Sequence, residues 1–235
     1  MRGRFGWRLT DLAEFAGMPK TTAHRLLKRL VAERLATQTS SDRHFFLGPL
    51  PYELGLSGPA LDAVVKFSLP ALDRLARNAS VVAYLFMRSG DDFVCAARAG
   101  ILPIKALSIE IGTRRPLISS AGGNAILAAL PAVEARKVIA RNLEDVQHYG
   151  PQRVRALQSV ARESRKLGYG IHRGQIVPGV QALGVAVTRI EGDPAASVSL
   201  VGPAEAFAGE NSTTLLALLE KEAAAIEQEF RRLRL

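Results

Sequence analysis

The chain has little of what cross-linking and catalysis need. Among its 235 residues Cys95 is the only cysteine. That excludes an internal disulfide and leaves a thiolate metal site without ligands. His24, His44, His148 and His172 form no spaced cluster with carboxylates, so the pattern of an imidazole metal site is missing too. There is no G-x-S-x-G elbow, and Gly122-Gly123-Asn124-Ala125 lacks the Gly-Lys-Ser/Thr ending of a phosphate-binding loop. No apolar run approaches the roughly 20 residues that cross a membrane. The start, MRGRFGWRLT, is basic but has no apolar stretch of signal-peptide length. Repeats and low-complexity tracts are absent. These absences describe a cytoplasmic protein that binds rather than catalyses, with no cofactor expected.

What is present is apolar bulk and positive charge. Apolar residues make up 48% of the chain, enough for one large or two small cores. The formal net charge of +9 favours anionic partners without choosing among them. Residues 19–35 hold five basic side chains against one acid, Glu33, so part of the excess is concentrated on one stretch.

That stretch lies within Leu9 to Leu47, which reads as helix, sharp turn, helix and short β-hairpin. The first helix is expected from Thr10 to Ala16, with Thr10 as its cap and Asp11 and Glu14 suiting the dipole. Gly17 can take the left-handed conformation that closes it, and Pro19 opens the second helix, where a missing N–H costs nothing. Ala23, Leu26, Leu27 and Leu30 recur at helical spacing and are expected to form one buried stripe. The opposite side carries Lys20, Thr21, Thr22, His24, Arg25, Lys28 and Arg29. Small hydroxyls at a helix start let the backbone approach base edges, and an arginine one turn later reaches a guanine or a phosphate. Leu35–Thr39 and His44–Leu47 read as strands, with the tetrad Ser40–Arg43 as turn chemistry between them. The pattern is a winged helix-turn-helix.

After it, Pro49, Pro51, Gly55, Gly58 and Pro59 punctuate the chain, so one straight helix over 49–67 is not expected. A helix start falls at Ser57, and Ser68 with Pro70 is read as opening another helix, with a domain boundary near residue 66. VVAYLFM, Val81 to Met87, is apolar throughout and reads as a strand buried on both faces. Ser89–Asp92 is a hairpin turn, Phe93–Ala99 the returning strand and Ile104–Ile109 a third. GTRRPLISSAGGNAILAAL, Gly112 to Leu130, runs from a Ser- and Gly-rich loop into an apolar helix. Pro131–Arg141 and Gln152–Leu167 read as further helices, Leu167–Arg189 as strand, loop and strand, ASVSLVGP as the last strand, and the chain from Asn211 as an amphipathic helix.

GMPKTTAHRLLKRLVAERL followed by a hairpin ending in FFLG resembles the DNA-binding domain of the IclR family of bacterial transcription regulators. GTRRPL, SSAGGNAILA, GYGI…PGV and VSLVGP extend the resemblance, in order, over nearly the whole chain. It implies an α+β architecture: a winged helix-turn-helix over 1–48, a linker helix over 49–67 and a larger GAF-like effector-binding domain over 68–235. IclR-like domains carry a further helix before the one at Thr10. Only nine residues precede Thr10 here, with Phe5 and Trp7 as packing groups, so either the natural chain begins upstream of Met1 or the domain lacks part of its core.

Thr21, Thr22 and Arg25 are then expected to touch bases, and Lys20, Lys28, Arg29 and Arg43 to hold phosphates. In SSAGGNA, exposed N–H groups at a helix start suit a small anion, and the Ser119 and Ser120 hydroxyls add donors; the glycines equally serve close packing. The resemblance implies an effector pocket of Ile104, Leu107, Ser120, Ala121, Gly122, His172, Ala182, Ser199 and Val201. His172 stands where the family often has an acid, Ala182 where it often has cysteine, and Val201 where a second serine is common. The set is less polar than one for a very small acid, which points to an aromatic or aliphatic carboxylate. The expected protein is an effector-controlled transcription regulator, dimeric or tetrameric, on near-palindromic double-stranded DNA. Two other readings stay open: a metabolite sensor without DNA binding, and a small hydrolase acting at the Ser-Gly loop.

Overall fold

Gly17 ends the first helix as its lack of a side chain allows. The computed structural model, which describes residues 6–56, 59–77, 81–101, 109–189 and 192–233, places it at φ +61°. There the amide of Gly17 bonds to Glu14 O and that of Met18 to Ala13 O, a left-handed closure that satisfies the last carbonyls. Helix α1 is Leu9–Phe15 and α2 is Lys20–Ala32. Thr10 is not the cap: the cap position is Arg8, without a side-chain bond, and the Thr10 hydroxyl turns to Asp11 instead. Strands β1 (Ala36–Gln38) and β2 (Phe45–Leu47) form the wing, and Trp7 bridges to Phe45 along its edge. Trp7 also packs against Phe15 as a tilted pair, 5.2 Å between centroids; Phe5 lies outside the described residues.

The expected stripe of α2 is only half buried. Ala23 and Leu27 are covered, but Leu26 is 45% and Leu30 40% exposed. The second half of the apolar face stays partly open to solvent at Leu26 and Leu30.

The punctuated segment becomes two helices, α3 (Pro49–Leu56) and α4 (Pro59–Arg77); Ser57 lies outside the described residues. The expectation that Ser68 and Pro70 start a new helix is corrected, because α4 runs through Pro70. Pro70 lacks the N–H of one turn bond, yet Val64, Ala71, Leu72 and Leu75 keep one continuous buried face on either side of it. The Ser68 hydroxyl donates to Val64 O at 2.7 Å. The chain divides into two compact units, 1–62 and 63–235.

The second unit is built on an antiparallel sheet of β3 (Val82–Ser89), β4 (Asp92–Ala99), β5 (Arg114–Pro116), β6 (Gly170–Arg173), β7 (Val180–Thr188) and β8 (Pro194–Pro203), in the order β5-β4-β3-β8-β7-β6. The strand expected at Ile104–Ile109 falls mostly outside the described residues. One face packs on α4 and on α8 (Asn211–Arg232), through Leu72, Leu75, Leu219, Ile226 and Phe230 against Leu85, Val198 and Leu200. Arg74 of α4 grips Glu222 of α8 with two bonds, at 3.0 and 2.8 Å. The other face carries α5 (Ala121–Ala129), α6 (Ala132–Asp145) and α7 (Pro151–Leu167) over Val82, Tyr84, Phe86, Phe93 and Cys95. Both faces of β3 are therefore covered, which is why VVAYLFM shows no alternation.

Candidate functional site

Helix α2 presents a reading face. Ala23 and Leu27 point inward, and at 100° per residue the opposite side carries Thr21, Arg25 and Lys28, flanked by Thr22 and Arg29. Thr21, Arg25, Lys28 and Arg29 are exposed and Thr22 is half-buried. Lys20 is exposed at the first position of the helix, to one side of this face. Arg43 is exposed at the tip of the wing with φ +55°, a conformation costing a non-glycine residue about 1 kcal/mol or more. The wing turn is held by the Thr39 amide donating to His44 O at 3.0 Å and the His44 amide donating to the Thr39 hydroxyl at 3.1 Å. The Asp42 carboxylate takes further bonds there, and the Thr39 hydroxyl holds it below its ordinary pKa. These interactions fix the turn and leave the Arg43 side chain outward.

The sensor unit gathers its residues by strand register. Val201 of β8 pairs with Ala182 of β7 and Val82 of β3, and Ala182 pairs with His172 of β6. One row thus holds four residues on one face, because directly opposed side chains share a face. The next row runs Gly170, Gly184, Ser199, Tyr84 and Arg98. A third holds Ala186, Ser197, Phe86 and Cys95. His172, Ala182, Ser199 and Val201 therefore meet on the face that α5 covers. Ile104 and Leu107 lie outside the described residues.

The glycines set the height of α5. A methyl group built on Gly170 would lie 1.8 Å from Ala121 O, and one on Gly184 2.7 Å from the same oxygen. Gly122 packs on Phe86 and Ser197, its own methyl position 2.5 Å from the Phe86 ring. Ser120 caps the helix by accepting from the Gly123 amide at 2.9 Å, and Ser119 donates to Pro116 O at 2.6 Å. Both hydroxyls thus have hydrogen-bond partners within the loop.

His172 is buried, and burial holds its pKa below the ordinary imidazole value. Nδ1 lies 3.1 Å from Val180 O, and Nε2 accepts from the Ile176 amide at 3.1 Å. A neutral ring with its proton on Nδ1 satisfies these two contacts, whereas the Gly174 amide, 3.3 Å from Nδ1, would need that nitrogen as an acceptor. The ring nitrogens are thus spent on the backbone between β6 and β7 and offer no free donor in this arrangement. Ser199 donates to Leu183 O at 2.9 Å and keeps its lone pairs. The Ser197 hydroxyl is buried with no partner.

Sequence reasoning missed Tyr84 and Arg98. Tyr84 is fully buried, its ring 5.3 Å from Phe86, which lies 4.3 Å from Phe93; such pairs contribute about 0.5–1.5 kcal/mol each. Burial raises the Tyr84 pKa, against the Ile109 amide that donates to its oxygen at 3.4 Å. Arg98 donates to Glu110 at 3.2 Å. Cys95, in the same layer, has its thiol pushed up to about 12 by burial and is no nucleophile. No signal in the sequence could separate these residues from ordinary core, since their placement depends on a register shift between Leu85 and Phe86.

Comparisons with known proteins agree over most of the chain. The family model for the bacterial transcriptional regulator IclR C-terminal domain matches residues 61–228, and that for the IclR helix-turn-helix domain matches residues 1–40. The HTH-type transcriptional regulator BhcR of Paracoccus denitrificans is 25% identical, covering 84% of this chain and 71% of its own. The transcriptional repressor IclR of Escherichia coli is 23% identical, over 92% and 80% respectively. Among solved structures, an IclR transcriptional regulator from Alicyclobacillus acidocaldarius superposes with TM-score 0.72 at 24% identity, over 94% of this chain and 90% of that one. An IclR homologue from Microbacterium hydrocarbonoxydans, solved in complex with 4-hydroxybenzoate, does so with TM-score 0.72 at 22% identity, over 95% and 91%.

Proposed function

The chain belongs to the IclR family of bacterial transcriptional regulators, and from that premise we propose how it reads DNA and what it senses. Members of this family are regulators, not enzymes. Thr21, Thr22 and Arg25 contact base edges in the major groove. Lys20, Lys28, Arg29 and Arg43 hold phosphates, which fixes register without reading sequence. Two copies present two such helices to half-sites about one helical turn apart, on a near-palindromic operator. The protein works as a dimer, or a tetramer paired through sensor units.

The effector is an aromatic or aliphatic carboxylic acid bound over the rows of Ala182, Val201 and Ser199, against Ser120, Ala121 and Gly122. Ile104 and Leu107 belong to the same set by resemblance to the family. His172 serves this site by holding Ile176, which packs against the same buried layer. The observation that carries this reading is the convergence of His172, Ala182, Ser199 and Val201 on one face of the sheet. The 4-hydroxybenzoate in the Microbacterium homologue supports the ligand class. The effector acts by binding DNA-competent and DNA-incompetent arrangements with different affinity.

Fluorescence anisotropy of the chain on the DNA upstream of its own gene tests the reading, with random duplex as competitor and several salt concentrations. Specific binding should fall steeply with salt, because each neutralised phosphate releases a counterion. Equal affinity for both duplexes at every salt concentration would sink the operator reading and leave a sensor alone.

A further inference from the structure

The chain carries a second stretch as basic as the one that holds the recognition helix. Residues 151–167 have five basic side chains against one acid, Glu163, the same excess as residues 19–35. The second unit as a whole, 63–235, has 22 lysines and arginines against 16 aspartates and glutamates, so +6 of the net +9 lies outside the unit with the winged helix. A single small acid gives no reason for an excess of that size.

Helix α7 sorts these charges by face. Leu157, Val160, Ala161 and Ser164 are buried. At 100° per residue, Arg155, Ser159, Arg162 and Lys166 fall on the directly opposite side, and all four are exposed. The other charged side chains of the helix have partners within the protein. Arg153 lies over the Tyr149 ring, 5.2 Å from its centroid. Glu163 accepts from Arg173 at 2.6 Å, and Arg165 donates to Leu127 O at 2.5 Å. Arg155, Arg162 and Lys166 pair with no acid among the described residues. Arg162 and Lys166 stand one turn apart, where like charges weaken a helix unless an anion lies between them. From Arg155 to Lys166 the stripe runs about 16 Å, a length over which one DNA strand carries about five phosphates. It has charge but no aromatic ring on which a base could stack, so it suits the backbone of a duplex.

We infer that Arg155, Arg162 and Lys166 hold phosphates of the DNA that the winged helix reads, which makes the sensor unit a second, sequence-independent DNA contact. This contact rests on the operator reading above for its choice of polyanion. Both units belong to one chain, so DNA held by the first is presented to the second at high effective concentration. The test is anisotropy of the full chain on a random duplex of about 60 base pairs, between about 50 and 200 mM salt. Arg155→Gln/Arg162→Gln/Lys166→Gln should lower the slope of log K against log salt by about 2.7, roughly 0.9 for each lost phosphate. Arg155→Lys/Arg162→Lys keeps the charge and should keep the wild-type slope. Arg189→Gln/Lys221→Gln/Arg231→Gln removes as many exposed cations elsewhere on the unit and should keep it too. An unchanged slope in the α7 variant overturns the inference and assigns the stripe to an acidic protein surface or to solvent; an equal fall in the control overturns it as well. Equal affinity for operator and random duplex sinks the operator reading alone, and a lowered slope in the α7 variant then still upholds the second contact. Failure of the wild type to bind any duplex overturns both. Should the triple α7 variant not fold by circular dichroism, Ser159→Cys carrying a photo-crosslinker decides, since it keeps all three cations and Cys95 is buried. Crosslinking to the duplex in excess of that from Lys221→Cys upholds the inference, and its absence overturns it.

Discussion

In the first unit the buried apolar side chains among the described residues are Ala13, Ala23, Leu27 and Phe45, while Phe15, Leu26, Leu30, Val31 and Leu47 stand in solvent. In the second, helices cover both faces of a six-stranded sheet, with Tyr84, Phe86, Phe93, Leu72 and Phe230 fully enclosed. The unit that reads DNA is held mainly by local devices: a left-handed glycine, a hydrogen-bonded wing turn and the Arg34–Glu53 ion pair. The unit that senses is held by long-range packing. Local devices open at low free energy, so the recognition helix is the part of the molecule most easily reordered. A dense layer, by contrast, responds to a ligand only in discrete steps.

One substitution type should separate the two units. Gly170→Ala puts a methyl group 1.8 Å from Ala121 O, so α5 must lift off the sheet; we expect a loss of about 3 kcal/mol, the upper range for overpacking, in urea unfolding of the sensor unit. An unchanged midpoint would show that the close approach is not real. Next in size, Arg25→Ala should cost about 1–3 kcal/mol on the operator and relax preference at one base pair, whereas Lys28→Ala should weaken all duplexes alike and lower the salt slope by about one. If the two variants behave identically, the division of α2 into reading and anchoring residues fails. Gly55→Ala, within α3 and with open space around it, should do the reverse of Gly170→Ala and stabilise the first unit by about 0.5–1 kcal/mol; slower amide exchange in α3 would register it.

The smallest effect is one of pH. Burial lowers the pKa of His172 in the folded protein, so the unfolded or opened state takes up the proton first. The stabilising contribution is complete above the ordinary value of about 6.5 and is lost as pH falls through the folded value. Protonated Nε2 can no longer accept from the Ile176 amide. Exchange at that amide should therefore quicken on acidification, beyond the intrinsic pH dependence measured on amides of β3. His172→Asn should erase the difference, and persistence of it in that variant would implicate another group.

The winged helix was legible because its signals are local. Gly17-Met18-Pro19 dictates the turn, and the spacing of Ala23 and Leu27 orients α2. Reading Leu26 and Leu30 as buried went wrong because periodicity says which face is apolar, not whether anything covers it. Pro70 misled for a related reason: a proline marks a missing bond, and buried neighbours on both sides can carry a helix across it. In the sensor unit most elements were legible, but their order in the sheet was not. His172, Ala182, Ser199 and Val201 came from family resemblance alone. Tyr84 and Arg98 were hidden because an all-apolar strand conceals which face each side chain takes, and the irregularity at Leu85/Phe86 resets that alternation for β4.

The central position of β8 in the sheet also bears on how the protein is made. β3 leaves the ribosome early, yet its partner on the inner side, β8, is nearly the last part of the chain to emerge; Tyr84 waits for Ser199. The winged helix closes on contacts near in sequence and can form while synthesis continues, as N-terminal units commonly do. The sensor sheet cannot, since its central pairing is among the most non-local in the molecule, and such pairings form slowly. For that interval the nascent chain carries the local elements of the first unit tethered to an unfinished second unit whose apolar strands are bare. Truncation anywhere before Pro194 would remove β8 and leave β3 without that partner for good.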